Sequence, residues 1–202
     1  MLDLTDVKNI KSILAQQGLS PQKKLGQHFL IDKRVLQKLL AAAGVSSSNI
    51  VAEVGAGVGT ITVELAKRAE KVYAVEIDKN LIPILKSQIN DFKNVNIINT
   101  DILHLLQGWS LRNHNLREKA IQQVLQGWSL QDLKIIGAIP YQITSPLIHH
   151  LLTQENPPCL IAIIVQKEVA EKITAQPPKA TYLSNFVSFF GNAEVVGKPI
   201  PP

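Results

Sequence analysis

Three alternating glycines, in the run Glu53-Val54-Gly55-Ala56-Gly57-Val58-Gly59, are the first residues whose spacing points to chemistry. Such glycines let a backbone turn tightly and approach a ligand with no side chain between. Alone, the pattern serves a dinucleotide, a nucleoside cofactor or a bare tight turn equally well. Glu76 lies 21 residues after Gly55, where a carboxylate accepts from both hydroxyls of a ribose. Asp101 follows a later apolar run and can accept from an adenine amine. Asp78 reads as a cap for the helix after it. No GxxxxGK[ST] run is present, which disfavours a nucleoside triphosphatase. On physical grounds NAD and S-adenosylmethionine fit this set equally. The discriminating element is Gly137-Ala138-Ile139-Pro140-Tyr141, in which Pro140 stiffens the loop and Tyr141 offers a ring to stack on a base.

These residues need a scaffold that brings strand ends together. Ile50–Val54, Lys71–Ile77, Val95–Ile98, Lys134–Gly137 and Leu160–Val165 read as strands. Thr60–Arg68, Lys79–Asn90 and Ser145–Leu152 read as helices between them, Pro83 being acceptable in a first turn. This alternation predicts a Rossmann-like α/β fold with a mostly parallel sheet covered on both faces. Ahead of it, residues 6–17 have helical spacing closed by Gly18, and Asp32 caps a helix over 33–43. Beyond it, Gln166–Ile173 reads as a short helix. Asn185–Phe190 and Ala193–Val196 flank Gly191-Asn192, which predicts a hairpin and an antiparallel C-terminal edge to the sheet. Leu-Gln-Gly-Trp-Ser-Leu occurs at 106–111 and again at 125–130, inside a long excursion over 105–132 that is read as packing over the sheet edge.

The 202 residues suffice for one good core, and 46% hydrophobic against 18% charged residues excludes a disordered chain or a coiled coil. Of the net charge of +5, residues 1–49 hold seven basic and three acidic side chains, so an anionic partner is expected to meet that end. Cys159 is the single cysteine, which leaves no internal disulfide and no cysteine-based metal cluster; no metal site is expected. No apolar run reaches the roughly 18 residues of a membrane span, and the N-terminus lacks the order of a secretory signal, so a cytoplasmic protein is expected.

Six segments together resemble one family, the small-subunit ribosomal RNA adenine N6-dimethyltransferases, and more distantly the erythromycin-resistance methylases. Lys24-Leu25-Gly26-Gln27-His28-Phe29-Leu30 is similar to the family's opening motif, usually GQNFL. Glu53–Gly59 resembles its cofactor loop. Val72–Asp78 and Asp101-Ile102-Leu103 resemble its ribose and adenine sites. Ala138–Tyr141 resembles its catalytic loop, usually NLPY or NIPY, and Val165–Ala170 the stretch after its fifth strand. The likeness spans about residues 20 to 202.

The resemblance implies an enzyme that moves methyl groups from S-adenosylmethionine to N6 of adenosines in small-subunit rRNA within a pre-ribosomal particle. It implies cofactor binding by Gln27, His28, Leu30, Glu53, Gly55, Gly57, Gly59, Glu76, Ile77, Asp101, Ile102 and Ala138. Ala138, Ile139, Pro140 and Tyr141 would form the catalytic loop, with Phe29 helping to hold the base. Lys23, Lys24, Lys33 and Arg34 would meet phosphates. A monomer is expected. Residues 1–48 then form a basic leading segment, 49–198 the catalytic domain, and 199–202 the start of a linker cut short before the family's small helical domain. His28 stands where the family has Asn, a mild change. Ala138 also stands where the family has Asn, and a methyl cannot accept from the target amine. Losing one aimed acceptor costs on the order of 3 kcal/mol, or ~10²-fold in rate, which predicts a weakened or inactive enzyme unless the Ile139 or Pro140 carbonyl serves instead. The alternatives are a cofactor-holding RNA-binding or ribosome-assembly module without methyl transfer, and a nicotinamide oxidoreductase.

Overall fold

The computed structural model describes residues 2–22, 27, 29–110 and 132–198. Expectations for Lys23, Lys24, His28, the second hexapeptide copy and residues 199–202 lie outside these.

Five strands, β1 (Ile50–Val54), β2 (Lys71–Glu76), β3 (Val95–Asn99), β4 (Leu133–Ala138) and β5 (Leu160–Ile164), form one sheet in the order β3-β2-β1-β4-β5. Every neighbouring pair is parallel. The helices are α1 (Val7–Gln16), α2 (Lys33–Ala43), α3 (Thr60–Ala66), α4 (Ile82–Gln88), α5 (Ile102–Ser110), α6 (Tyr141–Leu152), α7 (Lys167–Thr174) and α8 (Tyr182–Phe190). The chain runs outward from β1 through β2 to β3, then returns to the other side of β1 for β4 and β5. That reversal puts the carboxyl ends of β1 and β4 side by side, which is where open parallel sheets bind ligands.

Strand residues alternate between faces, and both faces are covered, so the strands read as continuous apolar runs. On one face Ile50, Ala52 and Val54 with Val75, Leu133 and Ile135 pack under Leu105 and Leu106 of α5 and Leu147 and Leu151 of α6. On the other, Val51, Val72 and Ile136 pack under Leu36, Leu39 and Leu40 of α2 and Ile61 and Leu65 of α3. Asp32 caps α2 through the amides of Arg34 and Val35. At its far end Lys134 Nζ donates to the carbonyls of Ala43 and Gly44 at 2.9 and 2.7 Å, which ties α2 to β4. Ile10 and Leu14 of α1 pack with Val58, Leu81 and Ile84 and so brace the glycine loop from outside.

The antiparallel hairpin predicted at the C-terminal edge is not formed: the sheet is parallel throughout, Tyr182–Phe190 is helix, and residues 192–198 form no strand. Leu183, Phe186, Val187 and Phe190 sit at helical spacing, so their apolar, β-favouring composition is compatible with a helix. Thr181 and Ser184 then form a reciprocal capping box that starts it. Gly191, with φ of 176°, is extended and does not supply the left-handed turn that a tight hairpin needs. A smaller difference lies at α6. It begins at Tyr141, four residues earlier than predicted, because Pro140 sits in the extended conformation that opens the helix.

Candidate active site

A cleft opens above the adjoining ends of β1, β2 and β4, lined in part by Phe29, Glu53, Gly57, Glu76, Asp101 and Ala138. Its floor is the turn after β1. Gly55, Gly57 and Gly59 all take left-handed φ values of 76°, 57° and 96°, conformations that side-chain-bearing residues rarely adopt. At Gly57 a Cβ would also meet the Phe29 ring at 3.5 Å. The amides of Gly55 and Ala56 both donate to the Val75 carbonyl, at 2.9 and 3.1 Å, and so fasten the turn to β2.

Glu76 ends β2 and is buried. Its Oε2 accepts from the Gly57 amide at 2.7 Å and its Oε1 from the Asp78 amide at 2.8 Å. A carboxylate has about four lone-pair sites, so acceptor capacity remains for a ligand hydroxyl. Burial pushes its pKa up, and the two amide bonds pull it partly back. Asp78, read from sequence as a helix cap, lies ahead of α4, whose N-cap is Leu81. Its Oδ1 closes the turn onto Asn80, and its Oδ2 accepts from the side-chain amides of Gln27 at 2.7 Å and Gln22 at 3.3 Å. Through Asp78 the leading segment is tied over the cleft.

Glu53 is fully buried on β1 and lines the same cleft. Both its carboxyl oxygens and the Thr62 hydroxyl lack a hydrogen-bond partner among the described residues. Burial pushes the Glu53 carboxyl up to about 8; the nearby Thr62 hydroxyl, outside hydrogen-bonding geometry, opposes this, and the charge of Glu76 adds to it. Asp101 precedes α5 and spends Oδ1 on the Leu103 amide at 2.8 Å. The lining thus carries three carboxyl groups and, among the described residues, no lysine or arginine.

The end of β4 forms the opposite wall. Gly137 pairs with Val54, and a Cβ there would stand 2.3 Å from the Val54 carbonyl oxygen, so only glycine fits. The Ile139 amide donates to Ile164 at 2.9 Å, which holds the loop against β5. The Pro140 carbonyl accepts from the Thr144 hydroxyl at 2.9 Å and the Ile143 amide at 3.2 Å.

Of the residues singled out from sequence, Gln27, Leu30, Gly55, Ile77, Ile102 and Pro140 also line the cleft. Gly59 opens α3 behind it. Ile139 turns into the core, and Tyr141 is exposed on the first turn of α6. Neither lines the cleft. Lys33 and Arg34 stand on the first turn of α2, where Arg34, largely exposed, pairs with Asp32 at 3.3 Å. Sequence reasoning missed Gln22, Thr100 and Gln142; the first grips Asp78 and the others line the cleft.

Residues 18–199 match the family model described as ribosomal RNA adenine dimethylase. A ribosomal RNA small subunit methyltransferase A of Alkaliphilus oremlandii is 36% identical over 201 residues, covering 98% of this chain and 65% of that protein. One from Streptococcus pneumoniae is 36% identical, covering 95% and 63%. The chain therefore spans less than two thirds of the length of these relatives. Among solved structures, a dimethyladenosine transferase from Plasmodium falciparum superposes with a TM-score of 0.55 at 26% identity, covering 72% of this chain and 46% of that one. The 23S rRNA methyltransferase ErmE shares the fold, with a TM-score of 0.57 at 24% identity over 76% of this chain and 54% of that one.

Proposed function

Because the chain belongs to the ribosomal RNA adenine dimethylase family, we propose that it transfers methyl groups from S-adenosylmethionine to N6 of adenosines in small-subunit rRNA. The observation that carries this reading is the carboxyl lining of the cleft. Three carboxyl groups line it, both Glu53 oxygens lack a hydrogen-bond partner among the described residues, and no described lysine or arginine lines it. Such a lining, with no described cation to meet a pyrophosphate, suits a ligand bearing a sulfonium and an ammonium better than it suits NAD. The tie left open by the glycine spacing therefore breaks toward S-adenosylmethionine, which supplies an electrophilic methyl group when bound.

The glycine turn cradles the cofactor, Glu76 accepts from its ribose hydroxyls, and Asp101 with Ile77 and Ile102 frames its adenine. Gln27 and Leu30 cover it from the leading segment, held there by Asp78. The target adenosine leaves its stack to reach the methyl group. Phe29, beside Gly57, and the exposed ring of Tyr141 hold that base. Lys33 and Arg34 meet RNA phosphates. The protein acts as a cytoplasmic monomer on a pre-ribosomal particle, and no helix among the described residues is long and apolar enough to cross a membrane.

The test is incubation with S-adenosylmethionine and small ribosomal subunits lacking the modification, followed by mass spectrometry of rRNA nucleosides, with calorimetry against both cofactors. Methylated N6-adenosine and selective binding of S-adenosylmethionine are expected. Tighter binding of NAD would overturn the cofactor assignment. Cofactor binding with no methyl transfer would favour the second reading, an RNA-binding assembly module, which Ala138 supports.

A further inference from the structure

Ala138 lines the cleft with a methyl group, which cannot accept a hydrogen bond from an adenine amine. As N6 attacks the methyl carbon, the nitrogen gains positive charge, and an oxygen aimed at its N–H lowers the barrier. Of the backbone oxygens in this loop, Pro140 O already accepts from Thr144 Oγ1 and the Ile143 amide. One turn further on stands Gln142, four residues after Ala138 and in the first turn of α6. It lines the same cleft, is exposed, and its carboxamide makes no hydrogen bond among the described residues.

We propose that Gln142 supplies the carboxamide oxygen that position 138 lacks, accepting from the N6 hydrogen of the target adenine during transfer. This rests on the methyltransferase reading of the cleft. The N6 electron pair forms the new N–C bond as the C–S bond of the sulfonium breaks and its electrons return to sulfur, leaving a neutral thioether. Gln142 Oε1 holds the N–H while that charge develops. A carboxamide is too weak a base to keep the proton, which leaves the alkylated amine to water. The longer side chain accounts for how an acceptor set four residues along the chain serves the site at Ala138. Its extra torsions make it a less rigid acceptor than an asparagine on the strand end would be.

The experiment is a double-mutant cycle at positions 138 and 142, read by single-turnover methyl transfer to unmodified small subunits, with cofactor affinity by calorimetry alongside. Gln142→Leu, which keeps the bulk and loses the acceptor, is expected to lower the transfer rate by ~10²-fold while cofactor affinity and melting temperature hold. Gln142→Glu, which keeps an acceptor, is expected to recover at least a tenth of the rate. In the Ala138→Asn background, where a second carboxamide is present, the loss from Gln142→Leu is expected to shrink by tenfold or more. Equal losses in both backgrounds, or no loss from Gln142→Leu in the parent chain, would overturn the role of Gln142 and leave the methyltransferase reading standing. Absence of transfer from the parent chain and from Ala138→Asn alike, with cofactor bound, would instead overturn that reading.

Discussion

Replacing Glu53 by Gln removes a carboxyl that the fold holds in its protonated form. The side chain is fully buried, its oxygens have no hydrogen-bond partner among the described residues, and its pKa rises from 4.5 to about 8. The folded state therefore keeps a proton that the unfolded chain releases from about pH 4.5 upward. The stability associated with that group is complete below the unfolded value and is lost as pH rises through about 8. At about 1.4 kcal/mol per unit, the full loss above the folded value approaches about 5 kcal/mol, of which about 2–3 kcal/mol falls between about pH 6 and pH 8.5. Urea denaturation of the parent chain is expected to show a drop of that size relative to Glu53→Gln across this interval. Subtracting the variant cancels every group that is not coupled to Glu53. The same protonation couples to function: a cationic cofactor favours the ionised carboxyl, so its binding at about pH 7 releases up to about one proton, visible as a buffer dependence of the binding enthalpy. Parallel stability curves for the two proteins would refute the reasoning at its root, because Glu53 would then already be ionised in the fold.

Gly137→Ala puts a Cβ where the Val54 carbonyl stands 2.3 Å away and wedges β1 from β4; a loss of about 3 kcal/mol is expected in urea denaturation, with cofactor binding weakened in step. Asp78→Ala removes the acceptor shared by the side-chain amides of Gln27 and Gln22; cofactor affinity measured by calorimetry is expected to fall about tenfold, the equivalent of one charge-assisted hydrogen bond. RNA binding is expected to weaken steeply with salt, and removing Lys33 and Arg34 together should flatten the log–log slope by roughly 1–2. An affinity flat in salt before the substitution would exclude phosphate contact by this edge.

The strands were legible because burial on both faces leaves a plain run of apolar residues: Ile50–Val54 has the same bounds in sequence and structure. Phe186, Val187 and Phe190 suit a strand by type and a helix by spacing. Ser184 in place of an acidic residue also hid the capping box. At the site, Glu76 announced itself by its distance from Gly55, a consequence of one strand-helix-strand unit having a fixed length. Its bond to the Gly57 amide was not legible, since it depends on the register of β2 against β1. The grip of Asp78 on Gln27 spans 51 positions and carries no local signal at all. Gln142 was passed over for a related reason: the sequence motif stops at Tyr141, and only the earlier start of α6 turns the next side chain toward the cleft.

Those long-range bonds explain how the cleft can be both acidic and ordered. Glu76 spends one oxygen on the glycine turn and the other on the strand's own continuation, so its charge is held by amides. Asp78 spends its outer oxygen on the leading segment. Glu53 has neither kind of partner among the described residues, and burial keeps it neutral. The fold thus satisfies Glu76 and its neighbour Asp78 internally and leaves Glu53 to be ionised by what binds. A cation entering the cleft gains an attraction that the empty cleft withholds, whereas a neutral or anionic ligand of the same shape gains none. On the proposed reading, selection for a positively charged cofactor therefore resides in Glu53 as much as in the residues that contour the pocket.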